Sequence, residues 1–120
     1  MAFSERQIWL LRKRMRAYRE FEGRRAGIKR GLPWKTISSR IEVRLDLRFE
    51  IPPERLRQFI EGYRDQSQSG LVRFPLLEVH RLEALRRFLC CDEVALLNDG
   101  EFQNANGQVP AIAHVMGVVA

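Results

Sequence analysis

The chain has 120 residues, 45% of them hydrophobic and 30% charged, with a formal charge of +6. That length predicts one domain with a single modest core, and the composition excludes wholesale disorder. No apolar run approaches the ~18 residues of a membrane span and there are two cysteines, so a multidomain enzyme, a membrane-spanning protein and a disulfide-rich secreted module are excluded.

The first predicted element is a helix over residues 4–22. Ser4 and Gln7 are spaced as a capping box. Ile8, Leu11, Met15 and Tyr18 follow the helical stripe, and Gly23 is expected to stop the helix. Arg6, Arg12, Lys13, Arg14, Arg16 and Arg19 are assigned to its other faces. Charges stand among and after the apolar residues of this segment, which is not the pattern of a secretory leader. Residues 23–31, GRRAGIKRG, read as a flexible cationic connector, either a solvated loop or an arm that tracks phosphates. Pro33 suits the first position of a second helix, with Trp34, Ile37 and Ile41 at helical spacing.

Residues 41–51 carry two patterns. Ile41, Val43, Leu45, Leu47, Phe49 and Ile51 alternate with Glu42, Arg44, Asp46, Arg48 and Glu50, which by period alone is a half-buried strand. A helix continuing from Trp34 to about Leu45, then an extended lead into Pro52, accommodates the same residues. Ile51 is extended because a proline follows it. Pro53 opens a third helix with Leu56, Phe59, Ile60 and Tyr63 on its inner stripe and Gly62 as its stop. Glu54, Arg55, Arg57, Gln58, Glu61 and Arg64 face outward. Residues 66–70 form a polar loop. A closing helix follows from Pro75 to Cys91, with Val79, Leu82, Leu85 and Leu89 inward. Val94–Leu97 adds a short turn, and residues 98–120 form an apolar C-terminal extension expected to pack on the domain, form a strand or meet a partner. The expected fold class is mainly α, a small helical bundle over residues 1–97; it becomes α+β if residues 41–51 form a strand.

The charge is one-sided. Residues 1–60 hold 16 Lys and Arg against 7 Asp and Glu, whereas residues 61–120 hold 5 against 8. Only Lys13, Lys29 and Lys35 among the basic residues are lysine, and arginine forks match phosphate geometry. Such a field points to a polyanion or an acidic protein surface. Chemistry has little footing. Cys90 and Cys91 are adjacent, without a second pair for zinc and with nothing basic beside them in sequence to lower a thiol pKa; a reducing cytoplasm suits them. His80 lies on the polar side of its helix and His114 is far away. No glycine loop matches a nucleotide fingerprint. The expectation is a non-enzymatic protein with no cofactor and no metal.

The run Pro33-Trp34-Lys35-Thr36-Ile37 to Ile41, then Pro53-Glu54-Arg55-Leu56-Arg57-Gln58-Phe59-Ile60-Glu61-Gly62, then Arg73-Phe74-Pro75 to Leu82, Leu85, Phe88 and Leu89, resembles bacterial helix-turn-helix proteins of the lambda-repressor-like kind. The resemblance covers residues 32–97. It implies a helix-turn-helix over residues 33–62 and a protein that binds double-stranded DNA as a transcriptional regulator. It puts Glu54, Arg55, Arg57 and Gln58 on the recognition helix and Lys35 near the backbone. Arg and Gln suit base edges, while Arg24, Arg25, Lys29 and Arg30 of the connector, with Arg64, suit phosphates. Two features depart from the pattern. Residues 46–51 are long and glycine-free for the turn, and Ser38 or Ser39 must replace the usual small alanine.

A homodimer is expected if sites are to be discriminated. The alternative is a non-enzymatic adaptor or antiactivator that uses the same scaffold to grip an acidic protein. A basic membrane-surface helix over residues 4–22 is a third reading, diluted by Glu5, Glu20 and Glu22; no membrane partner is expected.

Overall fold

The computed structural model describes residues 3–65, 70–91 and 94. Its first helix, α1, spans Glu5–Arg25. Ser4 caps it as expected: the hydroxyl accepts from the Gln7 N–H at 3.1 Å, and the Gln7 side chain accepts from the Ser4 N–H at 2.8 Å. Two otherwise orphaned donors are thereby satisfied. Leu10, Leu11, Met15 and Tyr18 are buried.

The helix does not stop at Gly23, because that glycine has another task. A Cβ there would lie 2.4 Å from the Gly31 Cα, so the bare backbone lets the connector fold back onto the helix. The connector is correspondingly a bonded loop rather than a flexible arm. Ile28 N–H donates to the Gly23 carbonyl at 2.8 Å, Gly31 N–H to Ile28 at 3.1 Å, and Leu32 N–H to Arg19 at 3.1 Å.

The second helix, α2, spans Trp34–Leu45, with Pro33 in the capping position just before it. Ile37, Ser38 and Ile41 form its buried face, so Ser38 is the small inward residue and Ser39 is exposed. Residues 41–45 are helical, and the α+β alternative built on a strand over 41–51 does not occur. Asp46 ends the helix in the left-handed region, at φ 52° and ψ 51°, which a short polar side chain tolerates better than most. The alternation is real beyond that point. Leu47 and Phe49 are half-buried and Ile51 is buried, while Asp46, Arg48 and Glu50 are exposed. This is a chain drawn along the core surface without a strand partner. Glu42 accepts from the Ile51 N–H at 2.8 Å and Arg81 donates to the Glu50 carbonyl at 2.9 Å, which fixes that lead. The cost of choosing helix is Val43, left 78% exposed.

Helix α3, Pro53–Glu61, buries Leu56, Phe59 and Ile60, and Gly62 closes it at φ 77°. A Cβ on Gly62 would sit 2.9 Å from both the Arg73 carbonyl and the Phe74 ring. The reason is a hairpin that the sequence pattern did not announce: β1, Tyr63–Asp65, pairs antiparallel with β2, Leu71–Arg73, in the register Tyr63–Arg73, Arg64–Val72 and Asp65–Leu71. Tyr63 is therefore a strand residue and half-exposed, not part of the α3 stripe.

Helix α4 spans Val79–Leu89, shorter than the expected 75–91. Val79 is 50% exposed, and Leu77 at 5% takes the inward place assigned to it. Leu82, Leu85 and Leu89 are buried as expected. Both α3 and α4 pack on α1 and on α2, closing one core. The architecture is mainly α with a small two-stranded sheet. Val94 is buried; the rest of the predicted turn at 94–97 and the extension at 98–120 lie outside the described residues. Among the described residues no helix is long and apolar enough to cross a membrane.

Candidate nucleic-acid interface

The sequence assigns the α1 arginines to the faces away from the apolar stripe. The structure turns most of them to the fold. Arg12, Arg16 and Arg19 stand four and three residues apart, on one helical face, directly beside the apolar row Leu11, Met15 and Tyr18. They meet the C-terminal end of α3. Arg12 Nε donates to the Phe59 carbonyl at 2.6 Å, Arg16 to the Ile60 carbonyl at 2.8 Å, and Arg19 pairs with the Glu61 carboxylate at 3.1 Å. Those carbonyls belong to the last turn of α3, where the helix leaves acceptors unpaired and its dipole favours cations. Arg12 also reaches the Phe74 carbonyl at 3.2 Å, with its guanidinium 4.5 Å from the Phe59 ring centre and 5.2 Å from that of Phe74. Burial and then the neighbouring Arg16 lower its pKa. Arg19 donates to the Leu32 carbonyl at 2.9 Å and lies over Trp34 at 4.6 Å. Arg14 is fully buried. The signal for this row was present in the sequence, as arginines at helical spacing flanking the apolar stripe, but its partner is 40 or more residues away.

The proposed recognition residues are brought together on α3, yet they are tied to carboxylates. Arg57 bonds Glu54, and Gln58 lies 3.5 Å from the same carboxylate. This bond holds the Glu54 carboxyl below the ordinary range and raises the Arg57 pKa. Arg55 pairs with Glu78 at 2.9 Å. Glu78 also pairs with Arg81 at 2.8 Å; a hydrogen bond from its own backbone, and then these two arginines, bring its carboxyl down to about 2. The outward face of α3 is thus near neutral rather than a basic ridge. Arg64 is on the hairpin, away from this set, and donates to the Gly70 carbonyl at 3.2 Å.

The connector is different. Arg24, Lys29 and Arg30 are exposed and, among the described residues, make no ion pair. Lys35 joins them in the first turn of α2. It lines a shallow pocket of about 320 Å³ together with Pro52 and Pro53, between α2 and the start of α3. Arg25 pairs with Glu22 at 2.9 Å, as does Arg40 at 2.7 Å.

Neither Cys90 nor Cys91 forms a disulfide. Cys90 has basic neighbours after all, in Arg86 and Arg14, but burial outweighs them and pushes its thiol up to about 12. His80 is exposed, with its ring 4.6 Å from Phe49 in an edge-to-face contact. Among the described residues no group of three or more His, Cys, Asp or Glu is placed to hold a metal ion. Comparison of the chain with protein-family models, with curated proteins and with solved structures finds no match.

Proposed function

We propose that the protein is a cytoplasmic, non-enzymatic regulator that binds double-stranded DNA, with α2 and α3 acting as its helix-turn-helix. The observation that carries this reading is the set Arg24, Lys29, Arg30 and Lys35: exposed cations, without ion pairs among the described residues, at the end of α1, on the backbone-bonded loop that the Gly23–Gly31 contact holds to α1, and at the start of α2. A fixed loop of this kind can hold phosphates in register. Arg55, Arg57 and Gln58 then offer groups to base edges. Their present carboxylate partners do not preclude this, since exposed ion pairs are worth about 0–1 kcal/mol and can be exchanged for a phosphate or a guanine.

Fluorescence anisotropy of a labelled duplex tests the proposal. Affinity is expected to fall steeply with salt. Arg57→Ala is expected to relax base preference, and Lys35→Ala to weaken all sequences alike. Absence of binding at low salt removes the reading.

A second reading, a protein-binding adaptor, is favoured by one observation. Tyr63, Leu71, Val72, Phe74 and Leu76 are 36–58% exposed, concentrating large apolar side chains on the hairpin and the segment after it. Copurification of a single protein without nucleic acid would favour it.

A further inference from the structure

A groove of about 720 Å³ opens between the C-terminal half of α1, the outer face of α2 and the end of α4. Its floor is apolar and largely aromatic. Tyr18 and Phe88 meet edge to face, with ring centres 5.2 Å apart and planes at 87°. Phe21, Val43 and Val94 complete that floor. Among the described residues its rim carries Arg25, Lys35, Arg40 and Arg44 and the carboxylate of Glu22. Arg40 is held in place by the Tyr18 hydroxyl at 3.0 Å and by Glu22 at 2.7 Å, bonds that also raise its pKa.

We propose that this groove is a docking site for an acidic amphipathic helix of a partner protein. The commitment follows from charge and shape together. A nucleic-acid backbone would satisfy the rim but leave Val43 and the aromatic floor facing phosphates. A small ligand is normally enclosed by its pocket, whereas this groove is open along one side. A helix with aliphatic side chains at i, i+3 or i+4, and i+7 fills an apolar floor of this kind, and Asp or Glu on its flanks faces the cationic rim.

This inference stands apart from the DNA reading. Lys35 is common to both, but the connector residues Arg24, Lys29 and Arg30 do not line the groove and Val43 is not among the DNA-binding residues, so variants at those positions tell the two activities apart.

The test uses the full chain and a fluorescein-labelled synthetic 16-residue peptide of Glu and Leu, with Leu at helical stripe spacing. Anisotropy is expected to show saturable binding. A control peptide with Ser in place of Leu is expected to lose it, and so is one with Lys in place of Glu. Val43→Asp places a charge on the floor at a residue with little burial to lose, and is expected to weaken binding tenfold or more without lowering the unfolding midpoint. Lys35→Glu is expected to weaken it severalfold. Arg6→Glu makes the same charge change about 18 Å from Tyr18 along α1 and is expected to leave affinity within twofold. Three results overturn the proposal. The first is no saturable binding to the full chain, including the case in which the chain's own acidic stretch around Asp99 and Glu101 keeps the peptide out. The second is binding indifferent to Val43→Asp. The third is an Arg6→Glu loss equal to that of Lys35→Glu, which would mean attraction by net charge alone.

Discussion

Two groups of cations lie close together in sequence and serve opposite ends. Arg12, Arg16 and Arg19 on α1 are directed at carbonyls and a carboxylate of α3. Arg24, Lys29, Arg30 and Lys35, five to sixteen residues later, face outward without ion pairs among the described residues. Composition treats both groups as one basic half. The difference lies in what stands opposite. A guanidinium beside an apolar stripe can bury its stem and bond the end of a neighbouring helix, and there it acts as a cap. A cation on a loop or at a helix end that points away from the fold has only solvent or a ligand to meet. Net charge therefore overstates the surface open to a polyanion, and the useful quantity is the charge left after the fold has taken its share.

The first way to break this comparison is at the contact that presents the connector. Gly23→Val drives a side chain into the Gly31 backbone and is expected to cost about 3 kcal/mol, read as a lowered urea midpoint. An unchanged midpoint would mean that the connector is not seated on α1. Next is the inner row itself. Arg12→Ala removes two carbonyl bonds and two ring contacts and is expected to cost about 2 kcal/mol. Protein that remains folded should bind duplex DNA as before; a selective loss of DNA affinity at full stability would place Arg12 in the wrong group.

The outer group should behave in reverse. Lys29→Ala and Arg30→Ala are expected to shift stability by less than about 0.5 kcal/mol, while each lowers DNA affinity on all sequences. The smallest effect sharpens the status of α3. The Glu78 carboxyl lies at about 2, below its ordinary 4.5, so the ionised form favours the folded state. That contribution is complete above about pH 4.5 and is lost as pH falls toward 2. Glu78→Gln is expected to flatten the acid limb of the stability profile and to release Arg55. Identical acid limbs in the two proteins would show that the Arg55–Glu78 pair is not held in solution.

Local signals in the sequence were reliable where they were chemical. The capping box at Ser4 and the proline opening and glycine closure of α3 are each set by neighbouring residues, whereas the local period over residues 41–51 pointed to a strand and the chain is helical to Leu45. What failed depended on distant partners. Gly23 looked like a helix stop, because its contact with Gly31 exists only once the loop folds back. The hairpin was hidden since three-residue strands, Tyr63–Asp65 and Leu71–Arg73, are too short to show a period. Val79 and Leu77 exchanged roles because α4 starts later than Pro75 suggests. Of the candidate interface, the connector cations could be read directly. The pairing of Arg55 with Glu78 could not, as it requires the residue that precedes α4 to come up against α3.

The most direct measurement is the slope of log affinity against log salt for duplex DNA, compared between the wild-type chain and the Arg24→Ala, Lys29→Ala, Arg30→Ala triple variant. Each phosphate contact contributes about 0.9 to that slope. The account predicts a slope shallower by about 2.7 in the variant, with the urea midpoint unchanged. An equal slope in the two proteins, or no binding by the wild type at low salt, contradicts it.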